Sequence, residues 1–270
     1  MCCASRTSRS GGLAPACRPR PSTRSSAASW RRRSRAVISS ARRIFMADLD
    51  PVWEKKYAAG HAERYPWDSE VSFVHRNAPR GLPRGEVKIV EVGCGTASNL
   101  WFAAREGFQV WGVDGSASAI AAARQRFKDD GLDGTLDVSD FTRLPHPDAQ
   151  FHLAIDRAAI TCVGLAAAAR VAGELRRVLR PGGRFFFNPY SDRHSSFRSG
   201  QAGPDGLRLG ITEGSLVGVG QICFYGRAQV EALFASGWRV LSMEHMALEE
   251  MAGTTRGVHA EWRVIAEKLP

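Results

Sequence analysis

The sequence predicts an α/β fold, a doubly wound and mostly parallel sheet with helices on both faces. From residue 87 onward, short apolar runs alternate with stretches of helical periodicity. The first run is apolar almost throughout, as a central strand buried on both faces must be. A Gly-containing turn then joins that run to the first helical stretch.

Residues 87–92 are the first predicted strand, followed by a helix over 97–106 that Gly107 ends. The second strand is 108–113. Ser116 is a suitable N-cap for the next helix, whose Ile120, Ala123 and Phe127 share one face, and Gly131 and Gly134 close the connection. Residues 135–138 and 151–156 are the third and fourth strands. A helix over 166–179 aligns Val171, Leu175, Val178 and Leu179, with Arg176, Arg177 and Arg180 at the negative end of its dipole. Pro181 forbids its continuation, and Gly182 and Gly183 turn the chain into the fifth strand, 184–188. The polar, Gly-rich stretch 191–214 resists assignment, and long loops of this kind tend to be lids or binding loops. A helix over 227–236 and strands over 238–246 and 259–267 complete the chain. Upstream, 51–59 and 68–77 read as helices, the second offering Val71, Phe73 and Val74. They are expected to form a helical cover, residues 46–85, over the carboxyl edge of the sheet, where open α/β sheets bind ligands.

The 270 residues suffice for one sizeable core. Their formal charge of +10 is unevenly distributed. Residues 1–45 contain eleven Arg and no acid, so of 37 basic residues 26 remain to face 27 acidic ones in the body. The body, 46–270, is therefore near neutral and reads as one domain. The tail is acid-poor, Arg- and Ser-rich and without apolar periodicity, and is expected to be disordered. It fits a translated stretch upstream of a start at Met46, an organelle transit peptide, or a basic arm for RNA. Six Cys, three in the tail and none in a CxxC pair, fit neither a disulfide framework nor a zinc site and indicate a reducing compartment. No window is apolar enough to span a membrane, so a cytoplasmic location without membrane partners or metal is expected.

The informative segment is Glu91-Val92-Gly93-Cys94-Gly95-Thr96-Ala97-Ser98-Asn99-Leu100, between a strand and a helix. Gly93 and Gly95 bare the backbone where the chain turns, so a ligand can lie against the N–H groups of the helix start. Asp114, nineteen residues past Gly95 at the end of the second strand, can accept both ribose hydroxyls of an adenosine. Glu91-x-Gly93-x-Gly95, Val113-Asp114, Asp140-Phe141 and Leu179-Arg180-Pro181-Gly182-Gly183 resemble, in this order, the motifs of class I S-adenosylmethionine-dependent methyltransferases. The resemblance spans about 53–267. It implies a seven-stranded Rossmann-like sheet with the last strand antiparallel, and S-adenosylmethionine as cofactor. Glu91 and Gly93 would lie near its methionine portion, Asp114 at the ribose, and Asp140 with Phe141 at the adenine. Gly95, Asn99, Gly115, Ser116 and Asp156 complete the expected cofactor contacts. The chain departs from the pattern at Ala97, where a third Gly is frequent. It has Ser98 where a dinucleotide fold needs Gly, which counts against a pyrophosphate-bearing cofactor.

Methyl transfer from a sulfonium is an in-line displacement that positioning and exclusion of water accelerate, so no strong catalytic motif is required. Asp156-Arg157 stands where the resemblance places the gateway to the methyl group. Tyr190, Asp192 and His194 follow the fifth strand, and His194 is the neutral-pH base among them. Asp156, Tyr190 and His194 are thus the candidate catalytic residues. Trp53, Tyr57, Tyr65 and Trp67 offer an aromatic wall or simple packing; His152 and Cys94 read as packing residues. Asn188-Pro189-Tyr190 is similar to the Asn-Pro-Pro-Tyr motif of amino-methylating enzymes, but it is incomplete and follows the wrong strand. A nicotinamide-dependent reductase would need Tyr-x-x-x-Lys, which no Tyr here begins. The near-neutral body favours a small-molecule acceptor with an O or N nucleophile. A nucleic-acid methyltransferase using the tail as a phosphate clamp, and a cofactor-binding protein without turnover, are the alternatives.

Overall fold

Central strands that are apolar on both faces need cover on both, and the computed structural model, which describes residues 50–252 and 257–270, provides it. The reading of residues 1–45 lies outside the described residues. Strands β1 (Lys88–Val92), β2 (Gln109–Asp114), β3 (Thr135–Val138), β4 (Phe151–Arg157), β5 (Leu179–Asn188), β9 (Trp238–Glu249) and β10 (Val258–Lys268) form one sheet in the order β3-β2-β1-β4-β5-β10-β9. The first five pair in parallel, and β10 runs antiparallel to both neighbours. The seven-stranded Rossmann-like sheet with its last strand antiparallel is thus as expected. Chain order reverses between β1 and β4, which opens a crevice at their carboxyl ends.

Helices α1 (Val52–Ala58), α2 (Asp68–Asn77), α3 (Ser98–Arg105), α4 (Ala117–Asp129), α5 (Leu165–Val178) and α6 (Arg227–Leu233) flank the sheet. Alternation along β5 supplies both layers. Phe185 and Phe187 pack with Val171, Leu175 and Val178 of α5 and Val230 of α6, while Phe186 joins Phe73, Leu100, Ile120 and Phe127 on the opposite face. Ser116 caps α4, its Oγ accepting the Ala119 N–H at 3.0 Å, a contact worth about 1 kcal/mol. His152 is more than packing. Its Nδ1 accepts the Lys88 N–H at 2.9 Å, and Nε2 lies 3.0 Å from Arg180, so the ring splints the start of β1 to β4.

Two stretches differ from the sequence reading. Strand β5 starts at Leu179 rather than 184. Its pairing with β4 jumps from Phe151↔Leu179 to Leu153↔Arg184, and Gly182, at φ +74°, lets the intervening residues bulge. The unassigned stretch after residue 191 contains β6 (Gln201–Ala202) and β7 (Leu207–Leu209), which pair with β8 (Ile222–Cys223) in a small antiparallel sheet. Ile211, Leu216, Ile222 and Phe224 form a separate apolar cluster there with Cys162. Strands of two and three residues are too short to leave a periodic signal.

Helix α2 is fastened by Phe73, buried and stacked on Phe186 at 5.1 Å. Phe73→Ala is expected to lower unfolding free energy by about 3–5 kcal/mol. A urea-denaturation midpoint matching that of the wild type would refute this anchoring role.

Candidate active site

The turn after β1 is built from left-handed backbone. Gly93 has φ +61°, Gly95 φ +53° and Ala97 φ 58°. A Cβ on Gly93 would stand 2.1 Å from Ala159 Cβ, and one on Gly95 would stand 2.5 Å from Tyr57 Oη, so neither position accepts a side chain. Ala97 pays the left-handed cost of roughly 1–2 kcal/mol while fully buried, and helix α3 follows without a side-chain cap. Its first N–H groups therefore keep no side-chain acceptor of their own.

Asp114 fastens this turn to β2. Its Oδ2 accepts the Gly95 N–H at 2.8 Å and its Oδ1 the Ser116 N–H at 2.7 Å. Burial raises its pKa from its ordinary value against those two donors. Each oxygen retains a lone pair for another donor. Next to it, Glu54 of α1 accepts hydroxyl hydrogen bonds from Ser116 (2.6 Å) and Ser118 (2.7 Å), which lower its pKa, with the Ser116 bond the largest cause. A carboxylate thus sits at the positive end of α4 and ties α1 to the crevice. From α1, Tyr57 reaches over Gly95, with Trp53 and His61 packed beside its ring.

Glu91 ends in the interior. Asn99 Nδ2 donates to its Oε1 at 2.7 Å, and the Trp67 N–H donates to Asn99 Oδ1 at 3.0 Å, while Oε2 is buried without a partner among the described residues. Burial, with Glu70, Asp156 and Asp114 nearby, pushes its carboxyl well above the usual range. Across the switch point, Asp156 stands opposite Val92. Its Oδ1 accepts the Ala159 N–H (3.0 Å) and the Ile160 N–H (2.9 Å), and its Oδ2 is a second buried oxygen without a partner among the described residues. Asp140 is half-buried and its Oδ1 accepts the Thr142 N–H at 2.8 Å, whereas the Phe141 ring reaches the neighbourhood of Gly93. Gly115 follows Asp114 in the same bend. The residues singled out from the sequence around the first turn, Glu91 to Ser116, therefore converge on one crevice with Asp156 and Phe141.

Tyr190 and His194 lie farther along this edge, where the chain after β5 runs beside β10 and Tyr190 bridges to Glu261. His194 is buried and engaged at both nitrogens. Nδ1 accepts the Ser196 N–H at 3.1 Å, so Nε2 carries the proton and faces Ser215 Oγ at 3.3 Å. Burial, then the neighbouring His259, push its pKa down to about 4. Asp192 Oδ1 accepts the Ser191 hydroxyl at 3.2 Å.

Sequence reasoning missed Glu70 and Glu261, which flank Arg157, and His259 beside Glu261; Trp67, expected in an aromatic wall or as packing, lies over the Arg157 guanidinium. The Arg157 guanidinium is buried, 3.8 Å from Glu70 and 3.6 Å from Glu261, with its carbon 4.0 Å from the centre of the Trp67 ring. Burial raises the Glu70 carboxyl in spite of Arg157. Burial acts the same way on Glu261, but His259, Arg157 and Arg263 outweigh it and bring that carboxyl down to about 2. The available signal was Glu261 itself, a charge between the apolar Ala260 and Trp262. Among the described residues, no group of three or more His, Cys, Asp or Glu is arranged to hold a metal ion, and no helix is long and apolar enough to cross a membrane.

Residues 89–183 match the family model of the methyltransferase domain. The chain is 34% identical over 102 residues to the methyltransferase GfsG of Streptomyces halstedii, covering 36% of this chain and 35% of that protein. It is 33% identical over 117 residues to the ubiquinone/menaquinone biosynthesis C-methyltransferase UbiE of Bordetella avium, covering 42% and 44%. The matched segment thus spans less than half the length of these two relatives. Among solved structures, a S-adenosylmethionine-dependent methyltransferase of Methanosarcina mazei superposes with a TM-score of 0.59 at 20% identity, covering 73% of this chain and 97% of that one. The [4+2]-cyclase SpnF superposes with 0.57 at 19%, covering 81% and 92%. At such identities the superpositions establish the fold alone, and the cyclase shows that this fold hosts more than one chemistry.

Asp156 gives the site a pH signature. Burial pushes its carboxyl up to about 7, against the N–H donors of Ile160 and Ala159 and the nearby Arg157. The native protein therefore holds a proton that the unfolded chain releases. This contribution to stability is complete below the unfolded value, near 3.8, and is lost as pH rises through about 7. Asp156→Asn keeps an oxygen for both donors and should remove that decline. Urea titrations between about pH 4 and 8 measure it, and a slope equal to the wild type's would contradict the assignment.

Proposed function

We propose that this chain, whose body is a class I S-adenosylmethionine-dependent methyltransferase domain, binds its cofactor in the crevice above β1, β2 and β4 and methylates a small molecule. The bound cofactor supplies a methyl group made electrophilic by a sulfonium. Placement and exclusion of water are then the protein's main contributions. The observation that carries the reading is Asp114, a buried carboxylate held by two backbone N–H groups beside a glycine-bared turn. Ribose hydroxyls can donate to the lone pairs its oxygens retain.

The donor set suits the group. S-adenosylmethionine brings a sulfonium and an ammonium, and the crevice offers Glu91 Oε2 and Asp156 Oδ2, two buried carboxylate oxygens without partners at the ends of adjacent strands. A ligand cation there offsets a desolvation cost that protein groups leave uncompensated. Glu91 and Gly93 would hold the methionine portion, with Asn99 fixing the Glu91 carboxyl. Gly95, Gly115 and Ser116 would line the ribose with Asp114, and Asp140 with Phe141 would meet the adenine. Asp156 and Tyr190 would border the methyl group. His194, with both nitrogens taken, serves the loop that shapes the acceptor side rather than the proton transfer. The acceptor is a small molecule with an O or N nucleophile, in keeping with the near-neutral charge of residues 46–270.

Calorimetry with S-adenosylhomocysteine tests the pocket. Asp114→Ala removes a charged acceptor of two hydrogen bonds, each worth about 1.5–3 kcal/mol, so affinity should fall by roughly 100-fold or more. An affinity unchanged in this variant would sink the assigned pocket.

A further inference from the structure

Beyond the crevice, β10 carries a second set of polar groups that the cofactor reading leaves unused. His259 and Glu261 lie two residues apart on the same face of that strand. Glu261 is almost fully buried, and its carboxylate is committed from three sides. Arg263 Nε donates to Oε1 at 2.8 Å, while Oε2 faces His259 Nε2 at 3.1 Å and Arg157 Nη2 at 3.6 Å. His259 is different. Its side chain is 33% exposed, against 3% for Glu261, so a solvent-facing imidazole is backed by a buried anion.

That pairing decides the tautomer. An ionised carboxylate only accepts, so Nε2 of His259 carries a proton and donates it to Glu261. The lone pair is left on Nδ1, which makes no hydrogen bond among the described residues. Planar groups neighbour the ring, His194 at 5.3 Å between ring centres and Tyr190 beyond it. The Tyr190 ring lies 5.9 Å from the His259 ring and 5.9 Å from the Arg157 guanidinium carbon, which itself lies against Trp67. Trp67 is 40% exposed, and its backbone N–H leads through Asn99 to Glu91. Contacts through Tyr190, Arg157, Trp67 and Asn99 thus run from the imidazole to Glu91 in the crevice, past two aromatic rings and a buried guanidinium.

We infer that His259, oriented by Glu261, is the general base of the transfer, and that the acceptor is a planar molecule presenting a phenolic or enolic hydroxyl. The inference rests on the methyl-transfer reading above. The acceptor hydroxyl gives its proton to His259 Nδ1 while an oxygen lone pair forms the bond to the methyl carbon. The carbon–sulfur bond breaks and its electron pair returns to sulfur, leaving a neutral thioether. The positive charge lost from sulfur resides as a proton on the imidazole, which Glu261 stabilises, and passes to solvent from the exposed ring. Glu261 is a positioning residue and His259 the catalytic one.

The test uses the full chain, wild type and His259→Gln. Calorimetry should give equal S-adenosylhomocysteine affinities for both. No binding by the wild type would fell the cofactor reading itself, apart from any question about the base. With labelled S-adenosylmethionine and a panel of catechol, a hydroxycoumarin and a hydroxynaphthoquinone, the wild type should methylate at least one. For that acceptor kcat in the variant should drop by about 10²–10⁴-fold with little change in KM. Nitrogen-15 NMR of labelled histidines provides a readout without turnover. His259 should appear as the Nε2–H tautomer, and Glu261→Gln should shift it toward a mixture. A wild type that binds S-adenosylhomocysteine but methylates none of the panel, a variant with wild-type kcat, or an Nδ1–H tautomer would each overturn the inference.

Discussion

Three carboxylates, Glu91, Asp114 and Asp156, end adjacent parallel strands inside a water-poor crevice, and the cost of keeping them there organises the rest of the structure. Burial raises the pKa of each. Asp114 meets the cost with two backbone N–H groups, one of which belongs to the glycine turn itself, so the bend after β1 and the end of β2 hold each other in place. Glu91 and Asp156 meet it only in part, each leaving one oxygen without a partner. Buried groups left so are expensive in an otherwise satisfied interior, which is why the proposed cofactor's cationic groups suit them.

The elements around the crevice are attached by polar contacts as much as by apolar ones. Helix α1 buries no residue completely. It is held through Glu54, which bonds to both serines at the start of α4, and through Tyr57, which occupies the space that the missing side chain of Gly95 leaves open. Helix α2 combines an apolar anchor, Phe73, with Glu70 beside Arg157. The α1 contacts are the weaker kind, few in number and partly solvated, and an element held in this way opens at lower free energy than the sheet beneath it.

At the far side of the edge, Arg157 is shared between Glu70 and Glu261, and the two acids respond in opposite directions. Burial dominates at Glu70, whereas Glu261 gains His259 and Arg263 as further partners and stays ionised. The same oxygen of Glu261 faces both Arg157 and His259, so the state of one is felt by the other. Tyr190, bridged to Glu261 through the backbone, brings the segment after β5 into this network.

Much of this was legible in the chain. Apolar runs announced the parallel strands, Ser116 announced the start of α4, and the Glu91-to-Asp114 segment announced the glycine turn after β1, because each depends on contacts between residues near in sequence or on a backbone that favours glycine. The bulge that starts β5 at Leu179 and the small sheet of β6, β7 and β8 were not legible, since their pairings are short and join distant segments. Nor could sequence join Arg157 to Glu70 and Glu261, or distinguish His194, closed off at both nitrogens, from His259, open at one. Local rules of periodicity, capping and turn geometry determined the strands, helices and glycine turn from the sequence alone. Which buried charges meet, and which imidazole keeps a free lone pair, was decided only by tertiary structure, because an antiparallel last strand carries its residues back to the edge where the parallel strands end.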